Sequence, residues 1–548
     1  MSLHPFQAQP ALFAIPAVNG RWFDASDRYR LFAQRIYPCL VRARPKLANA
    51  YCPDNGRPGI EPVVLAGVSV LQYIEGVPDR QAVELLSYHT GWNFALGRQM
   101  GEPLFHFSVL SCFRERLLAH ERSALIFAEI LEALIEAGLV ERKGRQRLDS
   151  TPVLGLVRRM SRLECMRETL RLALEEVAQK AQAFGKPLWW PECWERYVES
   201  KLDYKAATQV FIKKMEQSGL DALQLLEWVR TLSDNSLAQG PQVQLLERVL
   251  NEQFELVEGQ APRSRDSQPT AAVINPHDPH AHWSAKGKGK DKKEWVGYKV
   301  QVAESVHLEK CAPAEPTRSF LTAIEVQPAW ASDLAGADQV QTSQSAMGLE
   351  PPTESYVDGA YVSAEKLAQA AEQGRELIGP AARAAGKEGR FGVEDFSVQV
   401  EQRRALCPAG KENTQCSRIE RGTGEVEYRF EWTVHCQQCP LRGQCLGTNQ
   451  KQRVLEVGQY HSHLQARRKE QQTPDFERKC YRRNAIEGTQ SELVREHGLR
   501  RARYRGLAKV RLQSYMIGAA CNAKRWIKRL TWELKQAQIG TKVSVGSG

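Results

Sequence analysis

Between positions 50 and 140 the apolar residues recur with a helical period. Val64, Leu65, Val68, Leu71 and Ile74 share one side of such a period, which predicts a helix from Pro62. Gly76 and Pro78 end it, and Asp79 reads as the N-cap of a second helix, "RQAVELLSYH". Phe107, Leu110, Phe113 and Leu117 mark a third. "ALIFAEILEALIEAG" marks a fourth, with Gly138 as its C-terminal stop. Residues 50–140 are therefore expected to form an all-helical unit, preceded by an N-terminal extension, 1–49, without clear pattern.

The pattern then changes. "GRQRLDSTPV" is a short polar–apolar stretch within 141–157 and predicts a first strand leading into Asp149, Ser150 and Thr151. Residues 158–257 return to a helical period, as in "RETLRLALEEVAQKAQAF", and read as a helical insertion. Trp189, Trp190 and Trp194 lie in a proline-interrupted turn region inside it. From 258 to 294 Gly, Pro, Ser and Lys predominate, which predicts mostly loop. Strand-like runs follow: "WVGYKVQVAES", "FLTAIEVQPA", "ESYVDGAY" and "RELIGP", with the helix "SAEKLAQAAEQG" before the last. That order predicts a mixed α/β sheet over 258–395, completing the core begun at 141–157. Residues 396–452 hold a cysteine cluster, 453–535 are helical, and 536–548 read as a disordered tail. No internal repeat is visible.

Size and composition narrow the class. A chain of 548 residues exceeds a single core and suggests about three or four domains. Hydrophobic residues are 42% and charged residues 25%, ordinary for a globular protein. The net charge of +11 favours a polyanionic partner, nucleic acid before membrane. "MSLHPFQAQPALFAIPAV" lacks the basic start and long apolar core of a secretory signal. The most apolar stretch, "PVVLAGVSVLQYIEGV", carries Gln72 and Glu75 and is too short to span a bilayer. No membrane association is expected, and the location is expected to be cytoplasmic. Three of the thirteen cysteines form one C-x2-C-x5-C group, which favours metal binding in a reducing compartment over disulfides.

Three constellations carry chemistry. Asp149 and Asp358 end candidate strands, and Glu487 lies on a late helix. Each alone is an ordinary loop or cap acid. Brought together by neighbouring strands and a helix across them, they would bind Mg2+ or Mn2+ through oxygen. Two such ions suit in-line phosphoryl displacement. The second constellation is Cys407 with Cys436, Cys439 and Cys445, a four-thiolate set for structural Zn2+, with Cys416 as an alternative fourth ligand. The third is the run Arg495, Arg500, Arg501, Arg503 and Arg505 after Glu487, with Tyr504 placed to stack on a base. Arginine suits bidentate phosphate contact.

The motifs resemble those of DDE-type transposases of bacterial insertion sequences, over roughly residues 50–530. "RLDST" resembles their first-aspartate motif, "YVDGAY" the second, and "RNAIEGTQSELVREHGLRRARYRGLAKV" the glutamate motif. The resemblance implies an InsH-like helical N-terminal domain, a ribonuclease H-like mixed sheet with flanking helices, and a small Cys-rich zinc insertion. It implies catalytic Asp149, Asp358 and Glu487, with Arg483, on the same helix face as Glu487, as a DNA-binding residue. "INPHDPHAHWSAKG" resembles a further signature and sets Asp278 near the site. Where many relatives carry a tyrosine and a lysine around the glutamate, this chain has Cys480, followed by Tyr481, and Val494, followed by Arg495. Arg495 is the expected substitute for that lysine. The implied activity is binding of terminal inverted repeats, cleavage at the ends and joining to target DNA, by a homodimer acting on double-stranded DNA at the nucleoid. The alternatives are a nuclease of the same fold that cuts without joining, and a DNA-binding derivative without chemistry. The N-terminal helices are expected to read the end sequences in the manner of a helix-turn-helix, or to serve as a structural cap.

Overall fold

The computed structural model describes residues 23–52, 59–98, 102–180, 184–201, 208–232, 235–257, 259–287, 289–309, 312–382, 389–422 and 424–545. The first part of the N-terminal extension, 1–22, and the last three residues of the expected tail lie outside them. The chain is a multidomain α/β protein with a helical N-terminal region and a mixed, curled sheet.

Helix formation begins upstream of position 50. Short helices run from Arg28 to Ala48, and Pro38 and Pro45 sit in the first turns of two of them. These prolines restart the helix, which is why no long period shows in the sequence. Tyr29, Phe32, Ile36, Leu40 and Leu47 are nevertheless all buried. Helix α1, Pro62–Glu75, stops at Gly76, whose φ of 70° is the left-handed value glycine adopts freely. The next helix, Asp79–Tyr88, has Pro78 rather than Asp79 at its N-cap. The Asp79 carboxylate instead binds the Arg114 guanidinium and accepts from Gln72. Helix α2, Leu125–Glu136, is the most apolar of the region, with Ile126, Phe127, Ile130, Leu131 and Leu134 fully buried.

The central sheet is built on β1, Arg145–Leu154, and β3, Lys293–Ser305, paired antiparallel from Gln146↔Ser305 to Leu154↔Gly297. The short β2, His282–Lys286, pairs with the start of β3, and β4, Leu321–Pro328, pairs with the rest of it. On the other side of β1 lie β5, Glu354–Tyr356, and β6, Glu376–Ile378, both parallel. Strand β2 falls in the stretch expected to be loop; its five residues offer too short an alternation to stand out among glycines and lysines. A helix at Asp333–Ala346 was not legible either, because it buries only Gly336, Val340 and Gln344.

Alternation along β3 divides the sheet into two faces. Tyr298, Val300 and Val302 pack with α1, α2 and the last helix, α4 (Leu507–Val545), in one large core. Leu148, Ala303, Ala323, Val357 and Tyr361 form a smaller core on the other face. Helix α4 thus lies between the N-terminal helices and the sheet, and all three share that core. At Gly518 its backbone comes so close that an added Cβ would sit 2.9 Å from Ile324 and 3.1 Å from Phe127. Asn522 also exchanges two hydrogen bonds with the backbone of Leu321, at 2.8 and 2.9 Å. The helix continues through 536–545, where the sequence pattern gives a disordered tail.

Two units stand on this core. Between β1 and β2, helices Arg162–Lys180, Trp190–Trp194, Thr208–Thr231 and Pro241–Gln253 enclose their own apolar cluster, with Trp190 and Phe254 buried in it. Between β6 and the late helices, residues 396–458 form two small antiparallel sheets around Phe396, Phe430 and Trp432. Among the described residues no helix is long and apolar enough to cross a membrane.

Candidate functional site

The register of the sheet puts the two aspartates side by side. Strands β1 and β5 run parallel with Arg145 opposite Glu354 and Arg147 opposite Tyr356. Carried two residues past the end of β5, that register sets Asp358 level with Asp149. Neighbouring strands are about 4.8 Å apart. Asp149 is buried, at 5% exposure, and its Oδ1 accepts from the Ser150 N–H at 2.8 Å. Asp358 is half-buried and caps the turn Gly359–Tyr361 through the Ala360 N–H, at 2.8 Å. Burial pushes the Asp149 carboxyl above its usual range and the neighbouring Asp358 adds to this; the Ser150 N–H and the Arg483 guanidinium pull the other way.

Helix α3, Ala485–Arg495, crosses this edge. Ile486 and Leu493 anchor it in the large core. Arg483, just before it, donates to Asp149 Oδ2 at 3.1 Å, and Gln490 donates to the Ser150 carbonyl at 3.3 Å. Glu487 lies between these two contacts, four residues after Arg483 and three before Gln490, so it shares their side of the helix. It is exposed. A cleft of about 500 Å3 opens beside the site, lined by Asp358, Arg483, Asn484, Tyr481, Phe476 and Pro380.

A buried charge network holds α3 from beneath. Glu304 of β3, fully buried, receives Arg147 on one oxygen, and Arg525 (3.0 Å) and Thr489 (2.7 Å) on the other. Arg525 also binds Glu492 at 2.7 Å, and Arg147 donates to the Arg482 carbonyl at 3.0 Å. The sequence reading did not single out Arg147, Glu304, Arg525 or Glu492. Single charges inside a strand or a helix look like parts of a solvated face, and only the packing reveals Glu304 and Arg525 as buried partners of Arg147 and Glu492.

The other expected residues fall into three groups. Arg495, Arg500, Arg501, Arg503 and Arg505 are exposed, and the last four form the connection from α3 to α4. That connection is fixed to the end of β1 by Leu154 N–H to Arg500 O (2.9 Å) and Ala502 N–H to Leu154 O (2.8 Å). The Arg503 guanidinium lies 4.7 Å from the centre of the Tyr73 ring. Tyr504 is half-buried under Arg114, at 5.5 Å, so this ring is committed to the N-terminal helices and is not a free stacking platform. Asp278 is buried; it accepts from the Tyr298 hydroxyl at 2.6 Å and the Gly506 N–H at 3.2 Å, and so pins the end of the arginine loop. Cys480 packs beside Phe476, while Val494 turns into the large core and leaves Arg495 outside.

Cys407, Cys436, Cys439 and Cys445 line one cavity of about 20 Å3, close to the volume of a single small occupant. Cys445 feels the other three electrostatically, and the Arg453 N–H points at the Cys436 sulfur, at 3.4 Å. Cys416 does not line this cavity. An all-thiol donor set fits a soft or borderline cation such as Zn2+. A second group of ligating atoms, from Glu492, His497 and Cys521, falls within 4.8 Å of one another. Here Glu492 is already neutralised by Arg525, and burial pushes the Cys521 thiol up to about 12.

Asp149 and Asp358 lie at one edge of a mixed sheet with Arg483 beside them, in an α/β protein. Comparison with known families is more specific. Residues 406–527 match a family described as "Transposase DDE domain", and residues 20–116 one described as "Transposase domain (DUF772)". The two matches support a DDE-type transposase of an insertion sequence. The first spans the cysteines, Glu487 and the arginine run; Asp149 and Asp358 lie outside it. No curated protein and no solved structure matches the chain.

Proposed function

We propose that the protein binds the terminal inverted repeats of its insertion sequence, cleaves DNA at those ends and joins them to target DNA by metal-dependent phosphoryl transfer. The observation that carries the reading is the register that aligns Asp149 with Asp358 beneath the helix bearing Glu487. The strand order, with antiparallel β3 and β4 on one side of β1 and parallel β5 and β6 on the other, supports a ribonuclease H-like core. Asp149, Asp358 and Glu487 supply hard oxygen donors that fit Mg2+ or Mn2+. Such ions, when bound, activate the attacking oxygen and stabilise the leaving one. Arg483 holds the Asp149 carboxylate in position. Arg495, Arg500, Arg501, Arg503 and Arg505 hold the DNA phosphates, and the N-terminal helices read the repeats. Cys407, Cys436, Cys439 and Cys445 hold a structural Zn2+. A homodimer brings two ends together at the nucleoid.

The test is incubation of the protein with end-bearing DNA and Mg2+. Joined products are expected from the wild type. Asp149→Ala, Asp358→Ala and Glu487→Ala should each abolish cleavage and retain DNA binding. A variant that still cleaves at near-normal rate removes its residue from the triad. Cut but unjoined products would point to a nuclease.

A further inference from the structure

His497 and Cys521 are both buried, and neither has a role in the site described so far. The end of α3 turns His497 inward. Gly498 takes a φ of 73°, the left-handed value that ends a helix, and the Leu499 N–H reaches back to the Leu493 carbonyl at 3.0 Å. His497 Nδ1 then lies 3.1 Å from the carbonyl of Tyr73 in α1. A carbonyl only accepts, so Nδ1 is the donor, and in the neutral ring the lone pair is on Nε2. That nitrogen is buried and has no hydrogen-bond partner among the described residues. A buried polar atom without a partner calls for one. A ring held from behind by a backbone carbonyl, with the other nitrogen bare, is arranged as a metal-ligating histidine is.

Two further ligands stand beside it. One ligand atom from each of Glu492, His497 and Cys521 lies within 4.8 Å of the other two. Arg525 neutralises Glu492 through one oxygen only: its two hydrogen bonds, at 2.9 and 2.7 Å, both end on Oε2. Oε1 receives no hydrogen bond from a described residue. Arg525 is also matched by Glu304 at 3.0 Å, and the neighbouring Lys524 by Glu496 at 2.7 Å. Glu492 is half-buried, so the group has one side open to water.

We propose that Glu492, His497 and Cys521 form a second metal site, which takes Zn2+ with water as the fourth ligand. One oxygen, one nitrogen and one sulfur suit a borderline cation. On binding, the Cys521 thiol proton leaves to solvent, and the thiolate and carboxylate balance the two charges of the ion. With three protein ligands the site is open where the four-thiolate set is closed. It is therefore expected to lose its ion to a chelator during purification and to refill when metal is added. The ion joins α3 to α4 and, through the Tyr73 carbonyl, to α1. Glu487 lies five residues before Glu492 on α3, so occupancy of this site steadies the helix that carries it.

The test uses the full chain, purified with chelator and then freed of it, and titrated with Co2+. Cobalt reports sulfur ligation by a thiolate-to-metal charge-transfer band in the near ultraviolet. The wild type should bind one Co2+ beyond the occupant of the four-thiolate set, and Ser at Cys407, Cys436, Cys439 and Cys445 together should leave that ion and its band in place. Cys521→Ala should lose both. His497→Asn keeps a donor toward the Tyr73 carbonyl and removes Nε2, and should weaken binding by at least about tenfold. Amide exchange over residues 485–495 should slow on metal addition in the wild type and in neither variant, while the sheet stays protected in all three. Absence of the further ion from the wild type overturns the site, and so does its undiminished binding in both Cys521→Ala and His497→Asn.

Discussion

Asp149 and His461 are both buried, at 5% exposure each, and burial moves their protonation in opposite directions. The Asp149 carboxyl goes up, and the His461 imidazole, beside Arg468, goes down to about 4. For His461 the consequence for stability has a definite sign. Above its ordinary pKa of about 6.5 the ring is neutral in folded and unfolded chains and contributes nothing. As pH falls from 6.5 toward 4 the unfolded chain takes up a proton that the folded one refuses, so stability is lost across that window and levels off below it. Urea midpoints at pH 7 and pH 4.5 should therefore separate by more in the wild type than in His461→Leu, a difference worth a few kcal/mol. Equal separations would show that His461 does not titrate in this way. Legibility at this scale followed chemistry. Asp149, Asp358 and Glu487 stood out by their motifs, and Arg483 does meet Asp149. The packing of Tyr504 under Arg114 and the burial of Asp278 were not legible, because spacing alone does not say whether a polar group faces solvent or a neighbouring element.

Helix α3 is held on the sheet by charges as well as by Ile486 and Leu493. Arg525 reaches Glu304, Thr489 and Glu492, and so ties α4 to α3 and to β3 at once. Removing Arg525 leaves buried Glu304 with Arg147 alone and Glu492 without its guanidinium, and breaking a buried pair costs up to about 3–5 kcal/mol. Arg525→Met should destabilise the protein by that order. Because Arg525 and Glu304 touch, the double-mutant cycle of Arg525→Met with Glu304→Gln should give a coupling of at least about 1 kcal/mol. Additive effects in chemical denaturation would mean that the two side chains do not act together. Strands β1, β3, β4, β5 and β6 were legible in the sequence pattern, β2 and the strands within 396–458 were not, and α1 and α2 were legible from their period and glycine stops. The helix Asp333–Ala346 was hidden because its inner face is small and amide-bearing; Gln344 donates to Gln146 at 2.7 Å and to Thr322 at 2.9 Å instead of packing an apolar stripe.

At the scale of the molecule, one core binds the N-terminal helices, the sheet and α4, and two units with separate cores stand on it. The boundary of the helical region was read too late in the chain because prolines at 38 and 45 break its period. The Cys-rich unit is small, and a bound ion would add to the folding free energy of its apolar cluster around Phe396, Phe430 and Trp432. Elemental analysis should find about one zinc per chain, the stoichiometry of one closed structural site. Cys439→Ser should lose it and expose residues 396–458 to proteolysis while the sheet stays protected. One zinc per chain in a variant lacking all four cysteines would place the metal elsewhere.

The position of α4 also bears on how the protein is made. This helix is synthesised after the N-terminal helices and the sheet, yet it fills the space between them and covers Leu321 and Ile324 of β4. Until it emerges, both apolar faces that it joins lie open, and contacts between residues hundreds of positions apart, such as Leu321 with Asn522, have no partner. A nascent or prematurely terminated chain can therefore hold both aspartates and still lack a folded core. Synthesis of α4, rather than of any one motif, is the step at which the chain acquires its folded core, and copies truncated before α4 should be substrates for proteases.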